Sequence, residues 1–175
     1  VSNHFPTTFA AEANWALLQL VKANCPDAEL FWVGGADADA IVKHDAFLMD
    51  ADKSANTAGV KLLAEWAGNV GDAAALRAAE LALLVVLEDD VVSRLDGAPA
   101  PALAYFGTQA NPTAAAAAIL IPVAHVVEMD ATYVNRQGRV QRARRATNPL
   151  GEAVPAYQAL DTLGEGDGAL DQRAT

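Results

Sequence analysis

The stretch Ile119–Gln141, which reads ILIPVAHVVEMDATYVNRQGRVQ, decides the fold predicted for this chain. It begins with a short apolar run that Pro122 ends, as is typical of a buried strand. An alternating segment, 132–135, is followed by a turn that contains Gly138. Glycine readily takes the positive φ that tight turns often need. The stretch therefore predicts a buried strand, a loop and then an antiparallel hairpin over residues 132–141.

Apolar runs elsewhere in the chain indicate further strands, and helical patterns separate them. The predicted strands lie near residues 30, 84, 104 and 120. The run 81–87, LALLVVL, has no polar face, which is typical of a strand covered on both sides in a parallel sheet. This alternation predicts an α/β fold with a Rossmann-like, mostly parallel sheet, helices on both faces and the small hairpin beside it.

The length of 175 residues fits one domain. We expect a single α/β domain over residues 1–164, in which residues 1–8 form a loop that leads into the first helix. Residues 165–175 are rich in Gly and Asp and are expected to form a flexible tail. The chain begins at Val1 without an initiator Met or a signal-peptide pattern, so we interpret it as a fragment of a longer chain.

Charge and cysteine content exclude several classes of protein. The net charge of −10 argues against nucleic acid as a partner, because neutralising phosphates needs clustered Lys and Arg. Cys25 is the only cysteine, which excludes a disulfide framework and a cysteine-ligated iron–sulfur or zinc site within the chain. No apolar run reaches the roughly 18 residues of a membrane span, so direct membrane insertion is not expected.

Two segments carry a resemblance to a known family. The first reads Glu128, then Ala131-Thr132-Tyr133-Val134-Asn135, then Gly138-Arg139 and Gln141. It resembles the late, C-terminal part of the molybdopterin-oxidoreductase-like region in the large iron–sulfur subunit of respiratory complex I, the NADH:quinone oxidoreductase. That family has a strand ending in Pro, a Glu, and then Thr-x-x-Asn-x-Glu-Gly-Arg-x-Gln. This chain departs from the pattern at Gln137, where the family commonly has Glu.

The second segment is 45–59, which reads DAFLMDADKSANTAG. It is similar to a stretch found in the same subunit of many bacterial complexes, Asp-x-Phe-Leu-x-x-Ala-Asp-Lys-x-x-Asn-Thr-x-Gly. The chain departs from that stretch at Ala55, where the family usually has Pro. Between the two segments the resemblance is loose, although it extends from about Phe9 to Gly164.

The resemblance implies a function for the chain. It implies a non-catalytic scaffold domain in the peripheral arm of complex I, within the respiratory electron-transfer chain. The implied partners are other peripheral-arm subunits, and the implied location is the cytoplasm, peripherally associated with the inner membrane through the complex. The resemblance implies no cofactor in this chain, because the iron–sulfur clusters of the parent subunit lie in the part that precedes this region.

Two alternatives stay open. The first is a pterin-cofactor-binding domain of a molybdopterin oxidoreductase such as a formate dehydrogenase, which would need Gly-rich loops at the strand ends. This chain has Ala and acidic residues there. The second is a free-standing interaction domain.

We predict no catalytic, cofactor-binding or metal-ligating residue. The acidic run 88–90 lies at the carboxyl end of a predicted strand, where a metal site is conceivable, but solvation there is the favoured interpretation. Glu128 is expected to accept backbone N–H groups or to pair with Arg139. The arginines favour contact with acidic neighbours over a pyrophosphate site. The structural and interface candidates are Glu128, Thr132, Asn135, Gly138, Arg139, Gln141, Arg142, Arg144 and Arg145.

Overall fold

Six parallel strands form the central sheet of the protein. The computed structural model describes residues 2–4, 10–33, 52, 54–98 and 100–164. The strands of the sheet are β1 (Ser2–His4), β2 (Glu29–Phe31), β3 (Val70–Gly71), β4 (Leu84–Leu87), β5 (Leu103–Gly107) and β6 (Ile119–Pro122). Their order is β3-β2-β1-β4-β5-β6, and every neighbouring pair is parallel. The predicted Rossmann-like parallel sheet is confirmed.

The strand order fixes where a ligand site would lie. The order reverses between β1 and β4, which makes the sheet doubly wound. In such sheets ligands bind outside the carboxyl ends of the strands, near the point of reversal. That edge is formed by the residues that follow β4, β5 and β6 in the described part of the chain.

Helices cover both faces of the sheet. They are α1 (Ala11–Asn24), α2 (Thr57–Ala67), α3 (Ala73–Ala78), α4 (Val91–Arg94), α5 (Pro112–Ala116) and α6 (Ala156–Gly164). Three of them begin at an Asp or Asn whose side chain accepts a backbone N–H of the first turn: Asp72, Asp90 and Asn111. These caps satisfy donors that a helix N-terminus otherwise leaves unpaired. The cap predicted at Asp72 is confirmed.

Two apolar clusters form the core, one on each face of the sheet. The first joins α1, α2 and α6 to the sheet, with Leu17, Val60, Leu87, Phe106 and Leu160 among its buried members. The second joins α3 and α4 to the opposite face, with Leu76, Val86, Val91, Leu103 and Tyr105 among them. Adjacent residues of β5 point to opposite clusters, because side chains alternate along a strand.

The predicted hairpin is confirmed as a separate two-stranded antiparallel sheet. Its strands are β7 (Ala131–Val134) and β8 (Val140–Ala143), with Thr132 opposite Arg142 and Tyr133 opposite Gln141. A single turn of 3-10 helix, Val126–Glu128, connects β6 to this hairpin.

The interpretation of residues 1–8 as a loop is wrong, because Ser2–His4 forms β1 at the centre of the sheet. The backbone of β1 pairs with β2 on one side and with β4 on the other. A polar sequence of three residues gives no apolar signal, yet pairing with two neighbours holds it in the sheet. The short strand β3 was missed for the same reason of length.

The expectation that 119–122 is a buried strand is also wrong for β6. In the described part of the chain, β6 pairs with β5 on one side, and beyond its end Val123 forms a single parallel bridge to Val154. Ile119 and Leu120 are therefore 53% and 57% exposed. Most of segment 45–59 and all of 165–175 lie outside the described residues, including the predicted tail. Among the helices that are described, none combines the length and apolar character needed to cross a membrane.

Candidate functional site

A cavity of about 250 Å³ lies at the carboxyl edge of the sheet. Glu88 enters it directly after β4, Gln109 and Asn111 follow β5, and His125 follows β6. The remaining lining residues described are Tyr105, Val126, Met129 and Tyr133. Two larger openings, of about 530 and 580 Å³, lie beside α6 and beside β2 and β3. We take the smaller cavity as the candidate site, because it occupies the ligand edge of a doubly wound sheet.

Glu88 joins two loops at this edge. Its backbone has a φ of 51°, in the left-handed region that few residues other than glycine adopt. One carboxylate oxygen accepts the Thr108 backbone N–H at 2.6 Å, and the other accepts the Thr108 hydroxyl. The carboxylate therefore holds the loop after β4 against the loop after β5.

The two acids that follow Glu88 also accept hydrogen bonds from the protein. Asp89 Oδ1 pairs with Arg94 Nε at 2.9 Å. Asp90 caps α4 through Ser93 N at 3.3 Å and accepts the Thr113 hydroxyl at 2.9 Å. Burial raises the pKa of Asp90, but the hydrogen bonds from Ser93 and Thr113 outweigh it and hold that pKa below its usual value.

Solvation of the acidic run 88–90 is therefore the wrong interpretation of its role. These carboxylates fix the loops and a helix terminus, because each one faces backbone N–H, hydroxyl or guanidinium donors. Among the described residues, no group of three His, Cys, Asp or Glu side chains is placed to hold a metal ion.

Two tyrosines give the cavity its other polar atoms. Tyr105 Oη accepts a hydrogen bond from Asn111 Nδ2 at 2.9 Å. Burial, and then the charge of Glu88, raise the pKa of Tyr105 to about 12. Tyr133 Oη is buried without a hydrogen-bond partner, and burial followed by the charge of Glu12 raises its pKa. Both phenols are therefore neutral at ordinary pH.

Two side chains fasten the hairpin to the helices beside it. Glu12, in the first turn of α1, accepts the Thr132 backbone N–H at 2.9 Å and its hydroxyl at 2.5 Å. Asn56, at the start of α2, accepts the Val134 backbone N–H at 2.8 Å and is fully buried. These contacts bring 54–59 and 128–141 together, so the described part of the segment 45–59 touches the other resembling segment.

Gly59 is required by this contact. A Cβ at position 59 would overlap the Asn56 side-chain oxygen that accepts from Val134. The pattern Asn-Thr-x-Gly over residues 56–59 therefore has a packing reason.

The hairpin turn takes the form predicted for it. Gly138 has a φ of +76° and donates its N–H to Asn135 O at 2.8 Å. Asn135 Oδ1 accepts the backbone N–H groups of Gln137 and Arg139, at 3.0 and 2.9 Å. Gly138 and Asn135 are thus the residues that shape the turn, and Arg139 precedes β8 instead of lying within it.

Glu128 has one of the two structural roles expected for it. Its carboxylate accepts the His125 backbone N–H at 2.9 Å, and His125 Nδ1 faces the Val127 N–H at 3.5 Å. Glu128 therefore closes a reciprocal cap on the 3-10 turn. In the described structure Asp130, and not Glu128, is the acid that pairs with arginines of the hairpin.

The arginines of β8 and the residues after it gather around that single carboxylate. Asp130 Oδ2 contacts Arg142 at 3.3 Å and Arg144 at 3.4 Å, and Asp130 Oδ1 accepts the Arg145 backbone N–H at 2.9 Å. The Arg145 N–H, followed by the two guanidinium groups, holds the pKa of Asp130 below its usual value. Two cations share one anion here, so the surface around Asp130 carries excess positive charge.

Comparison with known proteins agrees with this architecture. A family model described as molybdopterin oxidoreductase matches residues 47–166, which is more than half of the chain. The chain belongs to the molybdopterin oxidoreductase family. No curated protein matches it. Membership supports a general oxidoreductase-family role, and the doubly wound sheet with its hairpin is the fold expected of such a domain.

The family name raises the question of a pterin dinucleotide, whose pyrophosphate needs cations or exposed backbone N–H groups. The described lining of the cavity includes the Glu88 carboxylate and no Lys or Arg. Gly107 ends β5, but a Cβ there would overlap the Tyr105 ring, so this glycine makes room for a side chain. The Thr108 N–H is already bound by Glu88. These described residues do not fit a pyrophosphate group.

Sequence reasoning found the hairpin residues and missed the side chains that hold them. Glu12 lies 120 positions before its partner Thr132, and nothing in its helical pattern marks it. Asn56 had a signal, since it is one of the residues that carry the resemblance. Tyr105 and Tyr133 were missed as cavity residues, because their position depends on the order of strands.

Proposed function

We propose that this chain is a non-catalytic structural domain of the large iron–sulfur subunit in a complex I-type NADH:quinone oxidoreductase, within its peripheral arm. One observation carries the proposal. The two segments that resemble that subunit meet through the hydrogen bond from Val134 N to Asn56 Oδ1. The residues of the resemblance therefore form one structural unit, and their side chains hold the hairpin instead of facing a reactive centre.

The absence of chemistry at the ligand edge is part of the same proposal. The acids at that edge accept hydrogen bonds within the domain, and the described lining does not suit a pyrophosphate. We therefore propose that the domain carries no pterin and no metal, and that electron transfer uses iron–sulfur clusters elsewhere in the parent subunit.

The surface around Asp130 supports contact with a neighbouring subunit. Arg142 and Arg144 are 60% and 76% exposed, although both reach Asp130. In a chain with a net charge of −10, this patch has a field opposite to the average of the molecule. Such a patch orients an acidic surface during assembly, and salt weakens its effect. The proposed partners are other peripheral-arm subunits, and the proposed location is the cytoplasmic side of the membrane that holds the complex.

A charge-neutralised variant tests the interface. Replacing Arg142, Arg144 and Arg145 with Gln is expected to weaken co-purification with the other peripheral subunits and to leave the melting temperature nearly unchanged. Exposed ion pairs contribute only about 0–1 kcal/mol to stability, so the domain stays folded. Arg77→Gln, on α3, removes a cation elsewhere and is the matched control.

The salt dependence of the same assay separates the interface from pairing within the domain. Screening shortens to about 8 Å near physiological ionic strength, so wild-type association should fall as salt rises. Association of the triple variant that equals wild type at low and moderate salt would contradict the interface. The arginines would then serve only Asp130.

Mass spectrometry of the native parent protein tests the claim about cofactors. We expect a longer polypeptide with cysteine motifs and no pterin, and elemental analysis of this domain without stoichiometric molybdenum or iron. Bound pterin would favour a pterin-binding domain of a molybdopterin oxidoreductase. Isolation of the chain without a longer parent would favour a free-standing interaction domain.

A further inference from the structure

The cavity at the carboxyl edge has one polar atom that the described structure leaves unsatisfied. Tyr133 Oη is buried, lines the cavity and has no hydrogen-bond partner. Buried hydroxyl groups nearly always have a partner, so an orphan in a cavity wall marks a position for a ligand group. A phenol oxygen accepts a hydrogen bond from an N–H donor.

Glu88 supplies the charge in the same cavity. Its backbone lies in the left-handed region, with a φ of 51°, although it is not a glycine. Strain of this kind persists where the surroundings hold a side chain in a required place. Thr108 occupies one acceptor site on each carboxylate oxygen. A carboxylate has about four such sites, so Glu88 retains capacity for a further donor.

The lining selects the sign and type of ligand. It contains one carboxylate, two phenols and no Lys or Arg among the described residues, which disfavours an anion. A metal ion needs several ligands, and no described group of three His, Cys, Asp or Glu residues is placed to hold one. Val126 and Met129 add apolar surface to the wall. The combination suits an organic cation with a short apolar body.

We propose that this cavity binds the ammonium group of a small primary alkylamine. The ammonium N–H groups donate to the Glu88 carboxylate and to the Tyr133 hydroxyl, and the alkyl chain contacts Val126 and Met129. The rings of Tyr105 and Tyr133 add attraction between a cation and an aromatic face. This site goes beyond the scaffold role, which does not depend on it.

Titration of the 175-residue chain with n-butylammonium, followed by calorimetry and by NMR shifts, tests the proposal. The neutral control ligand is n-butanol, which has the same chain length. We expect saturable binding of the amine and at least about tenfold weaker binding of the alcohol, because a hydrogen bond to a charged group is the stronger one. Tyr133→Phe removes only the hydroxyl and should weaken amine binding several-fold, by the loss of one hydrogen bond.

Charge is tested by Glu88→Gln, with Glu152→Gln as a control at an exposed acid outside the cavity. Glu88→Gln should weaken binding by about tenfold or more, and Glu152→Gln should bind like wild type. Equal binding of amine and alcohol, or wild-type affinity in Tyr133→Phe, would overturn the proposal. Because Glu88 also holds Thr108, a melt accompanies that variant, and Tyr133→Phe decides the matter if Glu88→Gln is unfolded. None of these results changes the expectation for subunit assembly.

Discussion

Asn56→Ala is expected to release the hairpin from α2. The substitution removes the oxygen that accepts the Val134 N–H at 2.8 Å. Because Asn56 is fully buried, the freed N–H has no access to water unless the hairpin moves. Leaving a buried donor unsatisfied costs about 1–3 kcal/mol, and the lost packing of the amide adds to it. We therefore expect a loss of about 2–3 kcal/mol in the free energy of unfolding, or roughly 4–12 °C in melting temperature.

Urea denaturation measures the global effect, and amide hydrogen exchange at Val134 measures the local one. Exchange at Val134 should accelerate, because its protection depends on Asn56. Asn24→Ala is the matched control, since Asn24 also donates a side-chain hydrogen bond, to Leu20 O at 2.8 Å, but at an exposed position. A loss below about 0.5 kcal/mol in Asn56→Ala, with unchanged exchange at Val134, would refute the pinning of the hairpin, because ordinary surface substitutions stay within that range.

Three further predictions concern the turn and two titrating groups. Gly138→Val should destabilise the domain by about 1–3 kcal/mol in a thermal melt, because a β-branched residue is strained at a φ of +76°; an unchanged melt would show that the turn is misassigned. Tyr105 has a pKa raised to about 12. The stability it contributes should be full below about pH 10 and lost as pH rises through 12, and Tyr105→Phe should remove that alkaline loss, as followed by phenolate absorbance. Asp90 has a lowered pKa in the folded state, so its contribution should be present above about pH 4 and lost on further acidification; acid unfolding curves that coincide for wild type and Asp90→Asn would contradict this.

The apolar strands and the hairpin could be predicted from the sequence because their signals are local. The run ending at Leu87 and the run ending at Gly107 are long enough and apolar enough to indicate strands wherever they lie in the sheet. The hairpin was found from Gly138 and the alternation before it. The cap at Asp72 follows from one residue and the helix formers after it.

The rest depended on information that a local pattern does not contain. Ser2–His4 is polar and only three residues long, so its place at the centre of the sheet follows from backbone pairing with two neighbours. Exposure of β6 follows from its position at the edge, since its sequence is that of a covered strand. The contact between Glu12 and Thr132 joins residues 120 positions apart, and strand order alone brings them together.

The acidic residues illustrate why composition gives the wrong role for charge in this chain. Twenty-two acids and twelve cations predict solvated carboxylates on the surface. Several of these acids instead accept paired donors of one neighbour: Glu12 and Glu88 each bind the N–H and the hydroxyl of one threonine, and Asp90 does the same at Thr113. A carboxylate is the side chain that best accepts two donors at once, so these positions select acids for geometry as well as charge. Removing one of them leaves two donors without a partner, which costs more than the loss of a surface charge. The negative charge of the domain is therefore partly a consequence of how its loops are held, and the acids alone do not indicate a metal site.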